Sequence, residues 1–326
     1  MSLLNKVGLW RNKSRVAVDM GSWAIKVVHV RWTGSGAKLA GAGSSPVPPD
    51  TAKNFTKANH ELVAALSLAR EQAGLGQVRA VVSLPARNTI IRQLKLPAMP
   101  RRELSQAVRW EIEKKLPVSA ANLIFEYVKL GESRDNGGKM VHILLAAATE
   151  ELVRTCRELL LEAGFITGAI DIQPLALWRV FSPGNGGPGH EPRVVLDIGA
   201  TSSQILILQG GEIKLARILP LGGSQLQNCD LEQQEARDAR GALGDIIRET
   251  RDSLEEFKHI FHQPVGKLLV TGGTARAGGI CRYLEDQLGL PVALGLPGAA
   301  LAGDQAAGAL HDPSFTVATG LALRGA

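Results

Sequence analysis

Cysteine is nearly missing: Cys156, Cys229 and Cys281 are the only three in 326 residues. They are odd in number and far apart, with no CxxC pair. That excludes a disulfide framework and a Cys-based zinc site, and makes a reducing cytosol the expected context. Aromatic residues make up 4% of the chain, too few to furnish base-stacking platforms. The formal net charge is +6, yet no Lys/Arg block occurs and the basic residues are spread through helical segments. Nucleic acid is therefore not expected as a partner, whereas a mildly basic surface suits an anionic inner leaflet. No apolar run reaches membrane-spanning length, and the first residues lack a secretory h-region. No GxxxxGK[ST] pattern occurs, which argues against a P-loop NTPase. His259 and His262 stand one helical turn apart without acidic or Cys neighbours in a metal spacing, and read as a solvated helix face.

What is present is a globular composition, 45% hydrophobic and 21% charged, in a chain long enough for two domains with cores of their own. One stretch occurs twice. Arg15-Val16-Ala17-Val18-Asp19-Met20-Gly21-Ser22 and Arg193-Val194-Val195-Leu196-Asp197-Ile198-Gly199-Ala200 repeat Arg, Val, Asp and Gly at the same offsets. Each is followed by a second β-branched run, so each predicts a strand, a tight turn and a strand. Glycine in such a turn admits close approach of a ligand, and successive turn N–H groups form an anion-binding nest. An aspartate at the strand end can hold hydrated Mg²⁺ against phosphate oxygens. Singly, each is an ordinary hairpin with an Asp-x-Gly turn; facing each other, the two would clamp a nucleotide's phosphates from both sides.

The rest of the chain fits around these turns. Leu62, Ala65, Leu66 and Ala69 predict a helix over 59–73, and 78–84 predicts a short buried strand. Residues 87–164 read as an insertion. It comprises a strand over 89–96, a helix over 101–116 with Leu104, Val108 and Ile112 on one face, strands over 124–130 and 140–147, and a helix over 150–163. A strand over 165–172 leads into Gln173-Pro174, which opens a helix with proline in its first turn. The Gly/Pro-rich stretch 182–192 is the cleanest boundary. After the second hairpin come a strand over 213–221, a long charged helical region over 231–262 with break points at Gly241 and Gly244, and a strand over 267–271. Gly272-Gly273-Thr274 then opens a helix over 277–288, which would leave backbone N–H groups beside a ligand. Small-residue helices are expected over 304–310 and 316–323. Residues 1–13, with Leu3, Leu4, Val7, Leu9 and Trp10 among Lys6, Arg11 and Lys13, read as an interfacial helix or a loosely docked tail.

The order of hairpin, insertion, connecting helix, hairpin, Gly-Gly-Thr turn and terminal helix resembles the actin/Hsp70/hexokinase nucleotide-binding superfamily. Asp19, Gly21, Ser22 and Lys26 are similar to its first phosphate motif, and Asp197, Gly199, Ala200 and Thr201 to its second. Gly272, Gly273 and Thr274 are similar to its adenosine motif. Gln173 falls where the family carries a Gln or Glu that positions the attacking water. The insertion resembles the extra subdomain of FtsA and PilM. Val82-Ser83-Leu84-Pro85, Leu96-Pro97-Ala98-Met99, Ala107-Val108-Arg109-Trp110-Glu111, Ala169-Ile170-Asp171 and Ala318-Thr319-Gly320-Leu321 resemble the PilM family specifically.

The resemblance implies an α/β, actin-like ATPase fold with two duplicated mixed-sheet halves. The first half would span 1–182 with its inserted subdomain at 87–164, the second 191–311, with 312–326 returning to the first as a helix. It implies ATP and Mg²⁺ as ligands, the metal facing Asp19 and Asp197 through water. The outer subdomain of the second half, 222–262, is shorter than the family's, so slow or absent hydrolysis is expected. Glu235-Ala236-Arg237-Asp238-Ala239-Arg240 is not a substitute for the missing nucleoside contacts. The implied function is a cytoplasmic assembly protein at the inner-membrane platform of a type IV pilus or related type II secretion system, peripheral to the membrane. Its partner would be the N-terminal tail of a PilN-like single-span protein, with other platform or motor components as further partners. The tail is expected beside the insertion, with strands 89–96 and 140–147 as edges, Leu94, Leu96, Leu104 and Val108 as pockets, and Arg92, Arg101 and Arg102 at the rim. The alternative is a small-molecule kinase of the same superfamily, against which stands the lack of a recognisable acidic base.

Overall fold

The computed structural model describes residues 14–48, 60–115, 122–135, 138–182, 191–226, 231, 237–302 and 308–325. Strands β1 (Ser14–Met20), β2 (Ala24–Thr33) and β3 (Gly36–Pro46) form an antiparallel meander. Helix α1 (His60–Gln72) crosses to β4 (Val78–Ser83), parallel to β1. The insertion supplies β5 (Ile90–Pro97), α2 (Arg101–Lys115), β6 (Leu123–Asp135) and β7 (Gly138–Thr149). Helix α3 (Glu150–Glu162) returns to β8 (Phe165–Asp171), parallel to β4, and α4 (Gln173–Phe181) leaves the sheet. The second half repeats the plan. A meander of β9 (Arg193–Ile198), β10 (Ser203–Gln209) and β11 (Glu212–Leu219) is followed by α5 (Arg237–Phe261) and β12 (Lys267–Thr271), parallel to β9. Then come α6 (Ile280–Leu288), β13 (Val292–Leu294) and the closing α7 (Thr316–Ala322). The two five-stranded sheets have the same order, β3-β2-β1-β4-β8 and β11-β10-β9-β12-β13; the insertion makes a third sheet, β5-β7-β6.

The alternation of the repeated stretch explains the layers. Val16, Val18 and Met20 point to the outer face of the first sheet and pack with α1 and α3, while Ala17 points inward. Val194, Leu196 and Ile198 pack outward with α5 and α6, while Val195 points inward. The inward faces meet α4 and α7 in one core containing Ala176, Leu177, Ala318 and Leu321. Strands buried on both faces are mostly apolar, which is why both copies read as apolar runs up to the site aspartate. The α4–α7 crossing is so close that a Cβ on Gly320 would lie 2.0 Å from the Ala176 carbonyl oxygen. Beyond α7, Arg324 Nη1 reaches Asp171 Oδ2 at 3.2 Å and donates to the Ile170 carbonyl at 3.0 Å; Arg179 of α4 donates to the same Asp171 oxygen at 2.8 Å. The chain end is thereby tied to β8.

Several expectations change. Strand β7 is central in its sheet and has no free edge, because β5 and β6 pair with it on both sides. Leu96, Leu104 and Val108 are buried with Ile112 and Ile143 in the insertion's own core, so none of these three forms a partner pocket; Leu94, partly buried, packs against that core and also lines a surface depression with Gln93 and His142. The helical region begins at Arg237 and runs unbroken past Gly241 and Gly244. Leu243, Ile246 and Phe257 anchor that helix, which offsets glycine's cost of about 1 kcal/mol each. Gly273–Arg276 is a 3₁₀ turn, and α6 starts only at Ile280, after Gly279 in the left-handed region at φ 73°. Of the small-residue helix expected over 304–310, Gly308–Leu310 is a 3₁₀ turn. Residues 303–307, 1–13, the core of the 182–192 linker, Cys229 and Glu235–Ala236 lie outside the described residues.

Candidate functional site

The two hairpin turns face each other. In the first, Asp19 pairs across the ladder with Lys26, and a Cβ on Gly21 would lie 2.7 Å from the Ala24 carbonyl oxygen. In the second, Asp197 pairs with Gln204, and the Gly199 N–H donates to the Ser202 carbonyl at 3.0 Å, closing the turn. The turns touch directly: Ser22 Oγ and Thr201 Oγ1 are 2.8 Å apart. The parallel register sets Thr271 beside Asp197, which brings the Gly-Gly-Thr turn to the same place. Gly272, at φ 88°, leaves no room for a side chain: a Cβ there would lie 2.3 Å from Asp197 Oδ1.

Asp19, Gly21, Ser22, Lys26, Gln173, Asp197, Gly199, Ala200, Thr201, Gly272 and Gly273 thus line one cavity of about 440 Å³, together with the half-exposed Trp23 and Arg276. Thr274 does not line it; it is buried behind the second turn, its hydroxyl 3.4 Å from the Gly199 carbonyl. Gly222 and Gly223, which sequence reasoning passed over, brace that turn: the Gly223 N–H donates to Gly199 O at 2.9 Å and the Ser224 N–H to Ala200 O at 3.1 Å. A Gly-Gly pair directly after a strand was the available signal.

Behind the cavity a polar chain joins the two halves. Ser83 Oγ donates to Asp19 Oδ1 at 2.8 Å, and Gln173 Nε2 donates to the same oxygen at 3.3 Å. Gln204 Nε2 donates to Gln173 Oε1 and, at 3.2 Å, to Asp197 Oδ2. Ser83 and Gln204 were not read as site residues, because each is one polar residue near the end of a mostly apolar buried strand. Burial pushes the Asp197 carboxyl up to about 7, and the charge of Asp19 adds to this; Lys26 and the Gln204 hydrogen bond oppose it.

Two carboxylates are what a Mg²⁺ ion shared with phosphate oxygens needs from a protein, so the donor set fits that ion. Among the described residues no group of three His, Cys, Asp or Glu could hold a metal by itself, and His259 and His262 are both exposed. The glycine cradles, where a Cβ would collide, fit a phosphate chain held by backbone N–H groups. Asp312, the other acidic residue at the cavity, is engaged: its Oδ1 accepts from the Ser314 N–H at 2.9 Å. Burial raises Cys156 to about 12 and also raises Cys281, so neither thiol is primed for chemistry. No described helix is long and apolar enough to cross a membrane.

Comparison with known proteins shows the fold and the family. A chain of the solved PilM–PilN type IV pilus biogenesis complex is similar over 95% of this chain and 98% of its own length, at 28% identity and a TM-score of 0.78. The ethanolamine utilization protein EutJ from Carboxydothermus hydrogenoformans shares the fold, at 15% identity and a TM-score of 0.52 over 99% of this chain and 96% of its own. The family model described as type IV pilus assembly protein PilM matches residues 17–240. Because that match runs from the first hairpin through the insertion to the start of α5, the chain belongs to the PilM family of type IV pilus assembly proteins, with the actin-like ATPase fold.

Proposed function

We propose that this chain is a nucleotide-holding assembly protein of a type IV pilus platform, working at the cytosolic face of the inner membrane. It holds ATP with Mg²⁺ between its halves and the N-terminal tail of a PilN-like single-span protein in a groove beside the insertion. One observation carries the nucleotide reading: Asp19 and Asp197 come from duplicated hairpins, yet both line the one cavity walled by Gly21, Gly199 and Gly272. Asp19 and Asp197 would hold the metal, partly through water; the two turns would wrap the phosphates, and Gly272–Gly273 would lie against the nucleoside. Bound Mg²⁺ supplies charge neutralisation between phosphate oxygens. Only residues 220–236 separate β11 from α5, so little chain is available to wall the nucleoside side. A wet, open site favours holding over turnover.

For the partner, support comes from two free strand edges. β6 borders its sheet on one side and β8 borders the first sheet, with α3 running between them. Ile124, Val153, Leu161 and Ile166 line a depression of about 490 Å³ there, continued inward by Leu84 and Ile170. Leu161 is 60% and Ile166 41% exposed, so apolar side chains stand uncovered beside unpaired backbone. That combination suits an extended peptide held by main-chain hydrogen bonds. The PilM–PilN complex is the relative that supports PilN as its source.

Thermal unfolding with and without MgATP tests the nucleotide. At a hundredfold excess over Kd the chain should gain about 2.7 kcal/mol. No shift at millimolar ATP, with Asp197→Ala matching the parent, sinks that half of the reading. Calorimetry with the first dozen or so residues of the adjacent single-span protein tests the groove. Binding should be lost in a Leu161→Asp, Ile166→Asp double variant, both positions being exposed enough to leave the fold intact. Unchanged binding would place the partner elsewhere.

A further inference from the structure

We propose that Gln204 is a positioning residue that holds the Gln173 carboxamide in a bridge between the two site aspartates and so keeps this chain an ATP holder rather than an ATPase. The proposal rests on the nucleotide reading above. Gln173 is the polar side chain at the start of α4 that reaches the cavity. Both ends of its amide are engaged: Nε2 donates to Asp19 Oδ1, and Oε1 accepts from Gln204 Nε2. The direction of the chain is set by its ends. Asp19, and Asp197 in its ionised form, can only accept, so each glutamine turns its NH₂ group outward, Gln173 to Asp19 and Gln204 to Asp197. The second donor of Gln204 then meets the Gln173 carbonyl.

Gln204 is built to stay. It is 1% exposed, on a strand in ladder register with Asp197, so it cannot withdraw without opening the second hairpin. Its own Oε1 is buried with no hydrogen-bond partner. A buried orphan carbonyl is a cost that an apolar side chain of the same size would avoid. An amide kept there despite that cost points to the work its NH₂ group does.

The chemical consequence concerns water. Hydrolysis forms a bond from a water oxygen to the γ-phosphorus as the bond to the β–γ bridging oxygen breaks. It leaves ADP and inorganic phosphate and releases one proton to solvent. A glutamine assists by orienting that water with its amide. Here the plane of the Gln173 amide is set by Asp19 and Gln204 instead, so it is not free to turn toward a water.

The test uses the full chain with Gln204→Met, which keeps the volume and loses the amide, Gln173→Ala, and the two combined. A β,γ-methylene ATP analogue with Mg²⁺ reports binding by calorimetry. Phosphate release from ATP reports turnover. Hydrogen exchange of the Gln173 side-chain amide, followed by NMR and assigned from its loss in Gln173→Ala, reports the bridge directly. Gln204→Met, in which Asp197 loses a hydrogen bond, should still bind the analogue though more weakly, release phosphate about tenfold faster at saturating ATP, and lose that gain in the double variant. The Gln173 amide should be shielded in the parent, with and without analogue, and exchange faster in Gln204→Met, where Asp19 alone still holds it. If the variant binds yet is no faster, if the gain persists without Gln173, or if exchange is unchanged, the lock does not exist. If Gln204→Met fails to fold, the same comparison with Gln204→Ser decides. A parent that binds no analogue overturns the nucleotide reading itself, and this proposal with it.

Discussion

Asp197 shows what a single buried carboxyl costs the fold. In the metal-free chain, burial first and the Asp19 charge second raise its carboxyl from an ordinary 3.8 to about 7. A group that holds its proton more tightly when folded gives the native state more bound protons between those two values. Stability therefore falls as pH rises from about 4 to about 7, and stays lower above that. Below the unfolded value both states are protonated and the penalty vanishes. Asn at this position can still accept from Gln204 but carries no charge. Asp197→Asn should thus be more stable than the parent at pH 8, by about 2–4 kcal/mol, with the difference shrinking toward zero near pH 4. Thermal melts across that range without Mg²⁺ check it. A difference independent of pH would mean that ionisation is not its source. The same variant should lose the MgATP-induced shift.

At the scale of elements, the seat of α7 is among the tightest fits of the described residues. Every residue from Thr316 to Ala322 is buried, and Gly320 lets α7 lie directly on the α4 backbone. Gly320→Ala would raise helix propensity by about 1 kcal/mol, but its methyl would sit 2.0 Å from the Ala176 carbonyl oxygen. Overpacking wins here, because a backbone carbonyl cannot step aside as a flexible side chain can. A net loss of about 1–3 kcal/mol is expected. Denaturant unfolding measures it; an unchanged midpoint would show that the two helices can separate freely. The same logic applies to α1 and β3, where a Cβ on Gly43 would lie 2.0 Å from the Ala69 carbonyl oxygen.

At the scale of the whole molecule, the halves are held together around the cavity and again at the insertion. Ser22 with Thr201 and Gln173 with Gln204 join them at the site. Farther out, Gln93 of β5 reaches the edge of the second half's sheet. Its Nε2 donates to the Lys214 carbonyl at 3.0 Å, and its Oε1 accepts from the Ala216 N–H at 3.1 Å. One side-chain amide thus takes the place of a neighbouring strand's peptide. Movement of the second half on nucleotide binding would pull on the insertion through this contact. Gln93→Ala should cost about 1–2 kcal/mol and speed amide exchange at Ala216, while the insertion's own core around Val108 and Ile143 stays protected. Exchange at Ala216 equal to the parent's would mean that the contact holds nothing.

The sequence by itself determined the two Asp-x-Gly hairpins, the glycine turn after β12, the extent of the insertion's helices and, Thr274 excepted, a set of residues that line one cavity. These are local matters: a turn needs glycine where a Cβ collides, and a two-face-buried strand is apolar at most positions, so a short window carries the information. The tertiary structure alone decided which edges are free and which polar groups meet. Strands 89–96 and 140–147 read equally well as edges, yet β5 borders its sheet while β7 is closed by pairing on both sides. Gln204 reads as one more residue on a strand; only the facing of two halves, far apart in the chain, brings it to Gln173. Strand pairing and the meeting of side chains depend on contacts between distant segments, and no local pattern encodes them.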